Sequence, residues 1–246
     1  MSFTVDAWAA AAEVRARIDG LEFLQRLETG ELDPGVFDYY LAQDAHYLAA
    51  YARILAFAAA RARTPEEVAF WATSAMQTVT AERALHAERL AELDPVDPSG
   101  TCLAYTGYLL GLATTDDYPV LVAGVLPCFW LYEDTGVRLK HRLGSAIERH
   151  PFADWINTYD DPAFSEACHH ARRLADAVAE ESGDAVVSRM HDAFAAACQL
   201  EHAFWAAPLD ECGPDCAARR PGSPRSAAAE LPRGRSHRRD VARLDG

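Results

Sequence analysis

The chain lacks most of the signals that would take it away from a compact helical domain. No segment alternates apolar and polar residues over β-branched positions, so nothing reads as a half-buried strand. No internal repeat is present, which sets aside solenoids and propellers. It has no uninterrupted apolar run of the roughly 20 residues a membrane helix needs. The N-terminal MSFTVDAWAAAAEVRARIDG has no basic start followed by an apolar core, and Asp6, Glu13 and Asp19 interrupt it. No secretory signal is read there, and a cytoplasmic protein that binds no membrane is expected. Positive charge is scarce: 23 Lys and Arg stand against 37 Asp and Glu, for a formal net charge of −14. An acidic body is a poor partner for nucleic acid or anionic lipid. Residues 219–246 reverse the balance, with eight arginines and three acids. Their Pro, Gly, Ser and Ala content reads as a solvated, disordered tail after a domain spanning 1–209.

The six cysteines have no spacing that suggests a disulfide framework. Cys102, Cys128, Cys168 and Cys198 are far apart in apolar settings and read as buried thiols in a reducing compartment. Cys212 and Cys216, in ECGPDC, lack the second Cys or His pair of a zinc finger and are read as incidental. Metal ligation is weakly signalled. A helical di-iron site places a Glu-x-x-His pair on each of two helices. Glu82 and His86 are four apart, with Glu88 nearby, and His169, His170 and Asp176 form a second group. Surface ion pairing explains the first set, and no metal is assigned.

Helical signals fill the rest. Asp33 and Pro34 are a cap and first-turn pair that opens a helix to about Ala62. Thr64, Pro65 and Glu67 form a capping box opening another to about Leu93. Further helices are expected over Cys102–Ala113, from Pro119 to about Glu148, Pro162–Glu181 and Asp184–Ala206, with a helix-loop segment in HPFADWINTYDDPAF. The fold class is all-α.

Polar side chains on apolar helix faces are the candidates for chemistry. Tyr40, Asp44, Tyr47 and Tyr51 share one stripe. Cys128 and Tyr132 are one turn apart, and Pro127 should free a carbonyl and bend the helix beside them. Glu201 shares a face with Phe194, Cys198 and Trp205, where an acid must be paired, neutral or functional. Each also has an ordinary reading: an acid at a core edge, a thiol packed as a small hydrophobe, a glutamate at an interface rim. Tyr105, Tyr108 and Tyr159 add phenols near helix ends.

Five segments in order, YYLAQDAHYL, AYTGYLL, LPCFWLYEDTG, HPFADWINTY and LEHAFW, resemble the TenA family of thiaminase II or aminopyrimidine aminohydrolases over about residues 5–206. The resemblance implies a heme-oxygenase-like helical bundle without heme, assembled as a homotetramer, that uses no cofactor and acts on a small aminopyrimidine or thiamine. It implies Cys128 as nucleophile, marking the cysteine-containing class, Glu201 as acid/base and Asp44 as the aspartate binding the aminopyrimidine. It further implies Tyr47, Tyr105, Tyr132 and Tyr159 as pocket walls, and Gly107 as a departure that widens the pocket near Tyr105. Two other readings stand beside it: an oxidase or di-iron oxygenase of the same bundle class, and a non-catalytic regulatory or binding protein.

Overall fold

The computed structural model describes the backbone of residues 2–90 and 95–212, with the side chains of these except residues 81–90. The tail from 213, Cys216, and the side chains of Glu82, His86 and Glu88 lie outside the described residues. Among the described residues the chain is all-α, with no strand.

Three short helices come first: α1 (Phe3–Ala10), α2 (Ala12–Asp19) and α3 (Glu22–Thr29). Gly30 ends α3 at φ +75°, a left-handed position that suits a residue without a Cβ. All three pack on the last helix, α10 (Asp184–Glu211). Between them run α4 (Pro34–Arg61), α5 (Pro65–Leu90), α6 (Gly100–Thr115), α7 (Tyr118–Leu143), α8 (Ala153–Tyr159) and α9 (Pro162–Glu180).

The expected caps form. The Asp33 carboxylate accepts from the Gly35 and Val36 amides at 2.7 and 3.3 Å. Thr64 accepts from the Glu67 amide at 3.2 Å, and Glu67 returns to the Arg63 amide at 3.0 Å, one residue earlier than in the standard box. Ser99 caps α6 through the Cys102 amide at 3.2 Å, which starts that helix before Cys102.

The structure corrects several boundaries. The helix expected from Pro119 to Glu148 breaks at Gly144, whose φ of +51° ends α7, and a 3₁₀ turn covers Gly144–Arg149. Helix α10 passes the expected limit at Ala206. The Glu211 carboxylate accepts from the Tyr39 hydroxyl at 3.0 Å and the Thr101 hydroxyl at 2.8 Å, tying α10 to α4 and α6. Cys212 is buried, so packing continues past residue 209.

Helix α7 runs through the centre, against α9, α8, α6 and α10. It is long and apolar enough to span a membrane by length and composition, contrary to expectation, yet 83% of that stretch is buried within the bundle. Its apolar surface is satisfied by protein. The helix therefore carries Cys128 and Tyr132 into the core.

Candidate active site

A cavity of about 570 Å³ opens between α4, α5, α7, α8 and the start of α9. Asp44, Cys128, Tyr132 and Tyr159 are on its wall. The other three predicted residues, Glu201, Tyr47 and Tyr105, do not line it; they are buried beside Cys128. The Tyr47 ring lies 4.8 Å from Tyr105 and 5.5 Å from Phe204, and Tyr132 lies 4.8 Å from Tyr159 and 4.5 Å from Trp205. The Tyr40 and Tyr132 hydroxyls are 3.3 Å apart. Aromatic walls of this kind suit a flat heterocycle.

Glu201 is 0% exposed. The Tyr105 hydroxyl donates to its Oε1 at 2.7 Å, while its buried Oε2 has no hydrogen-bond partner among the described residues. Burial pushes its carboxyl up to about 8; the Tyr105 bond works against that rise and the Asp44 charge adds to it. At neutral pH the group is mostly a neutral acid. Burial also pushes the Cys128 thiol well up, and the Glu201 charge adds to this. The Tyr47 and Tyr51 hydroxyls favour the thiolate and offset part of the rise. Among the described residues the buried Tyr47 hydroxyl nevertheless has no well-formed hydrogen bond. Buried polar atoms without partners are costly, and a ligand with matching donors and acceptors would satisfy them.

A sequence profile of the TENA/THI-4/PQQC family matches residues 18–211. The chain belongs to that family. Among its relatives is an aminopyrimidine aminohydrolase of Halalkalibacterium halodurans, 30% identical over 213 residues, covering 83% of this chain and 94% of that protein. The thiamine biosynthesis multifunctional protein ThiED of Corynebacterium glutamicum is 36% identical over 188 residues. The match covers 74% of this chain and spans about a quarter, 24%, of that protein. A TenA homologue from Pyrococcus furiosus superposes with a TM-score of 0.77 at 18% identity, covering 84% of this chain and 99% of that one, a likeness of fold.

Within this family member, four free cysteines are described, and Cys128 is the one on the cavity wall. The Cys168 thiol donates to the Phe129 carbonyl at 3.2 Å and the Cys102 thiol to the Gln43 carbonyl at 3.6 Å, as packing residues do. Pro127 sits inside α7, which continues through it; the expected bend is not a break. Two residues before it, the Val125 carbonyl accepts from the Tyr51 hydroxyl at 2.7 Å, a tie from α4 to the turn carrying Cys128.

Gly136 sets the depth of α8. A Cβ there would come within 2.6 Å of the Tyr159 Cβ and 2.9 Å of its backbone carbon, so only glycine lets Tyr159 approach this closely. Gly107, by contrast, faces open space and does not widen the pocket. No group of three or more metal-ligating side chains exists among the described residues. His170 stacks on Phe70 at 4.3 Å, His169 lies 3.9 Å from Glu133, and Asp176 accepts from the Thr4 amide and hydroxyl. Sequence reasoning missed Ser74, Gln77 and Thr78 of α5, which reach the cavity wall. Their three- and four-residue spacing on one helix face was the available signal.

Proposed function

We propose that the protein hydrolyses the exocyclic C–N bond of a 4-amino-5-aminomethyl-2-methylpyrimidine, giving the 5-hydroxymethyl product, with thiamine cleavage as a related activity. The observation that carries this is a neutral carboxylic acid, Glu201, buried beside a cavity-lining thiol, Cys128. The names of the relatives, an aminopyrimidine aminohydrolase and a thiamine biosynthesis protein, support it.

Displacing the amine requires loss of ring aromaticity. The Cys128 sulfur adds to a ring carbon, and the thiol proton ends on a ring nitrogen, with Glu201 as the relay. The S–H bond and one ring C=N π bond break; one C–S and one N–H bond form. A carboxyl at about 8 serves this well, since near neutrality it can both give and take a proton. The electron-rich adduct then expels the leaving group with the C–N bonding pair. Water adds to the exocyclic methylene, its proton replaces the one given up as the ring rearomatises, and Cys128 departs as thiol. Because burial keeps the resting thiol protonated, addition waits for a bound ring to accept the proton. Asp44, 1% exposed, is assigned to orient the ring amino group, and Tyr132 and Tyr159 to hold its faces. Homotetrameric assembly belongs to the same proposal and is tested by sedimentation over a concentration series.

The decisive experiment follows leaving-group release from a panel of 5-substituted aminopyrimidines, by wild type and Cys128→Ser, in single-turnover mode. Release by wild type with binding but no release by the variant supports the reading. Near-normal release by Cys128→Ser overturns the covalent route.

A further inference from the structure

Tyr51 has one proton and two claims on it. It lines the cavity with Cys128, is 3% exposed, and takes no part in the hydrolytic steps. Its hydroxyl donates to the Val125 carbonyl at 2.7 Å, a bond whose direction is fixed because a carbonyl can only accept. Helix carbonyls point along the axis toward the residues three and four positions on, and helical side chains lean back toward them. A hydroxyl seated on Val125 is therefore placed beside the Cys128 side chain. The same hydroxyl also acts on the Cys128 sulfur and favours its thiolate, which a phenol does by donating. A hydroxyl carries a single proton, so the two bonds exclude each other.

The surroundings of the sulfur make that proton matter. Cys128 faces Glu201 on α10, Asp44, Tyr47 and Tyr51 on α4, Tyr105 on α6 and Tyr159 on α8. Two of these are acids and the rest are phenols. No Lys, Arg or His lines the cavity among the described residues. Charge on the sulfur is therefore met by neutral donors, and Tyr105 is already committed to Glu201 at 2.7 Å. Burial, with the Cys128 and Glu201 charges, pushes Tyr51 well above the ordinary phenol range. It can donate a hydrogen bond without giving up its proton.

We propose that Tyr51 is a positioning residue for Cys128, its hydroxyl resting on the Val125 carbonyl while Cys128 is a thiol or a thioether and turning to the sulfur when negative charge builds there. Its consequence for turnover rests on the reading of Cys128 as nucleophile. Charge builds on the sulfur twice: as the S–H proton passes through Glu201 to the ring, and as the C–S bond breaks. At both points Tyr51 keeps its O–H bond and exchanges one acceptor for another. A turn about the phenolic C–O bond suffices, since both acceptors stand on one turn of α7. The charged sulfur wins the exchange because a hydrogen bond to an ionised group is roughly twice as strong as one between neutral groups. Thiol and thioether sulfurs are weak acceptors, so with either the carbonyl wins.

The test titrates Cys128 in the full chain without substrate. Thiolate absorbance is followed against pH in wild type and Tyr51→Phe, each minus its Cys128→Ser counterpart. Alkylation by iodoacetamide is read on the peptide that carries Cys128. Tyr51→Phe should raise the thiol midpoint by about 0.5–1 pH unit and slow alkylation about three- to tenfold near neutrality, the loss of one charge-assisted bond less the carbonyl bond given up for it. A tie to Val125 alone would lower the unfolding midpoint and leave the thiol as it was. An unchanged or lowered thiol midpoint therefore overturns the proposal. Where Tyr51→Phe folds poorly, meta-fluorotyrosine at position 51, a stronger donor of nearly the same shape, should lower the thiol midpoint, and no fall overturns it. On a pyrimidine that wild type turns over, Tyr51→Phe should lower kcat about three- to tenfold and hold KM within about twofold. An unchanged kcat overturns the part in turnover. A raised thiol midpoint together with near-normal release by Cys128→Ser overturns the covalent hydrolase reading and leaves the Tyr51 exchange standing.

Discussion

Two buried glutamates occupy neighbouring regions of the bundle and are treated in opposite ways. Glu133, on α7, is 8% exposed and faces the α9 side, where Arg172 lies 3.5 Å and His169 3.9 Å from its carboxylate. Arg172 in turn sits 4.9 Å from the Trp130 ring centroid, and Trp130 stacks on Trp8 at 4.0 Å. Glu201, on α10, meets a tyrosine hydroxyl at one oxygen and no hydrogen-bond partner among the described residues at the other. A buried acid supplied with cations is architecture, because its charge is compensated where it stands. A buried acid supplied with a phenol and a nearby thiol stays largely protonated, the state its proposed acid/base role requires.

The comparison can be broken first at its reactive end. Cys128→Ser exchanges a thiol for an alcohol that is essentially never ionised near neutrality. Turnover should fall by several orders of magnitude while aminopyrimidine binding survives, as read by single-turnover kinetics and titration. Glu201→Gln removes the transferable proton and should lower kcat about 10²–10⁴-fold. A loss under threefold in the same assay would leave Glu201 without its proposed role.

The pH dependence sharpens the contrast. With a carboxyl at about 8 in the folded protein against 4.5 as the ordinary value, the folded state binds the extra proton between those limits. Stability from this group is therefore greatest below about pH 4.5 and declines as pH rises to 8. Glu201→Gln should flatten that slope in denaturant titrations across the same window. Wild-type kcat should fall on the alkaline side, with a limb near 8 that moves or vanishes if another group delivers the proton.

Gly136→Ala tests the scaffold between the two regions. The new methyl meets α8 backbone, so about 1–3 kcal/mol of stability is lost and KM rises as Tyr159 is displaced. Unfolding midpoints and KM together check this. The smallest effect on turnover belongs to the architectural acid. Glu133→Gln should keep kcat within about twofold of wild type while costing about 1–3 kcal/mol, reduced because Arg172 keeps access to water. A catalytic loss as large as that of Glu201→Gln would erase the distinction between the two glutamates.

Local chemistry made much of this legible in advance. Asp33, Thr64 and their prolines announce helix starts, because a cap is a contact between residues two or three apart. The stripe Tyr40, Asp44, Tyr47 and Tyr51 is visible for the same reason, since helical spacing places its members on one face. The end of α7 at Gly144 was not, as a glycine inside an apolar helix pattern is tolerated in many places. Nor were α1 to α3 read as separate helices: each is eight residues, too short to hold without the α10 surface they pack on. The role suggested for Gly107 failed because its face of α6 turns outward.

The sequence by itself determined that the chain is helical, which faces are apolar, and which acids and thiols those faces carry. It could not say which of them would meet. Tyr105 and Glu201 are 96 residues apart in the chain, and Cys128 and Glu201 lie on different helices; only the packing of α4, α6, α7 and α10 joins them. It is that packing that removes water from Glu201 while giving Glu133 its arginine. The same side chain, on the same kind of helix face, becomes a neutral acid in one place and half of an ion pair in the other, because desolvation and counter-charge are properties of the neighbourhood and not of the residue.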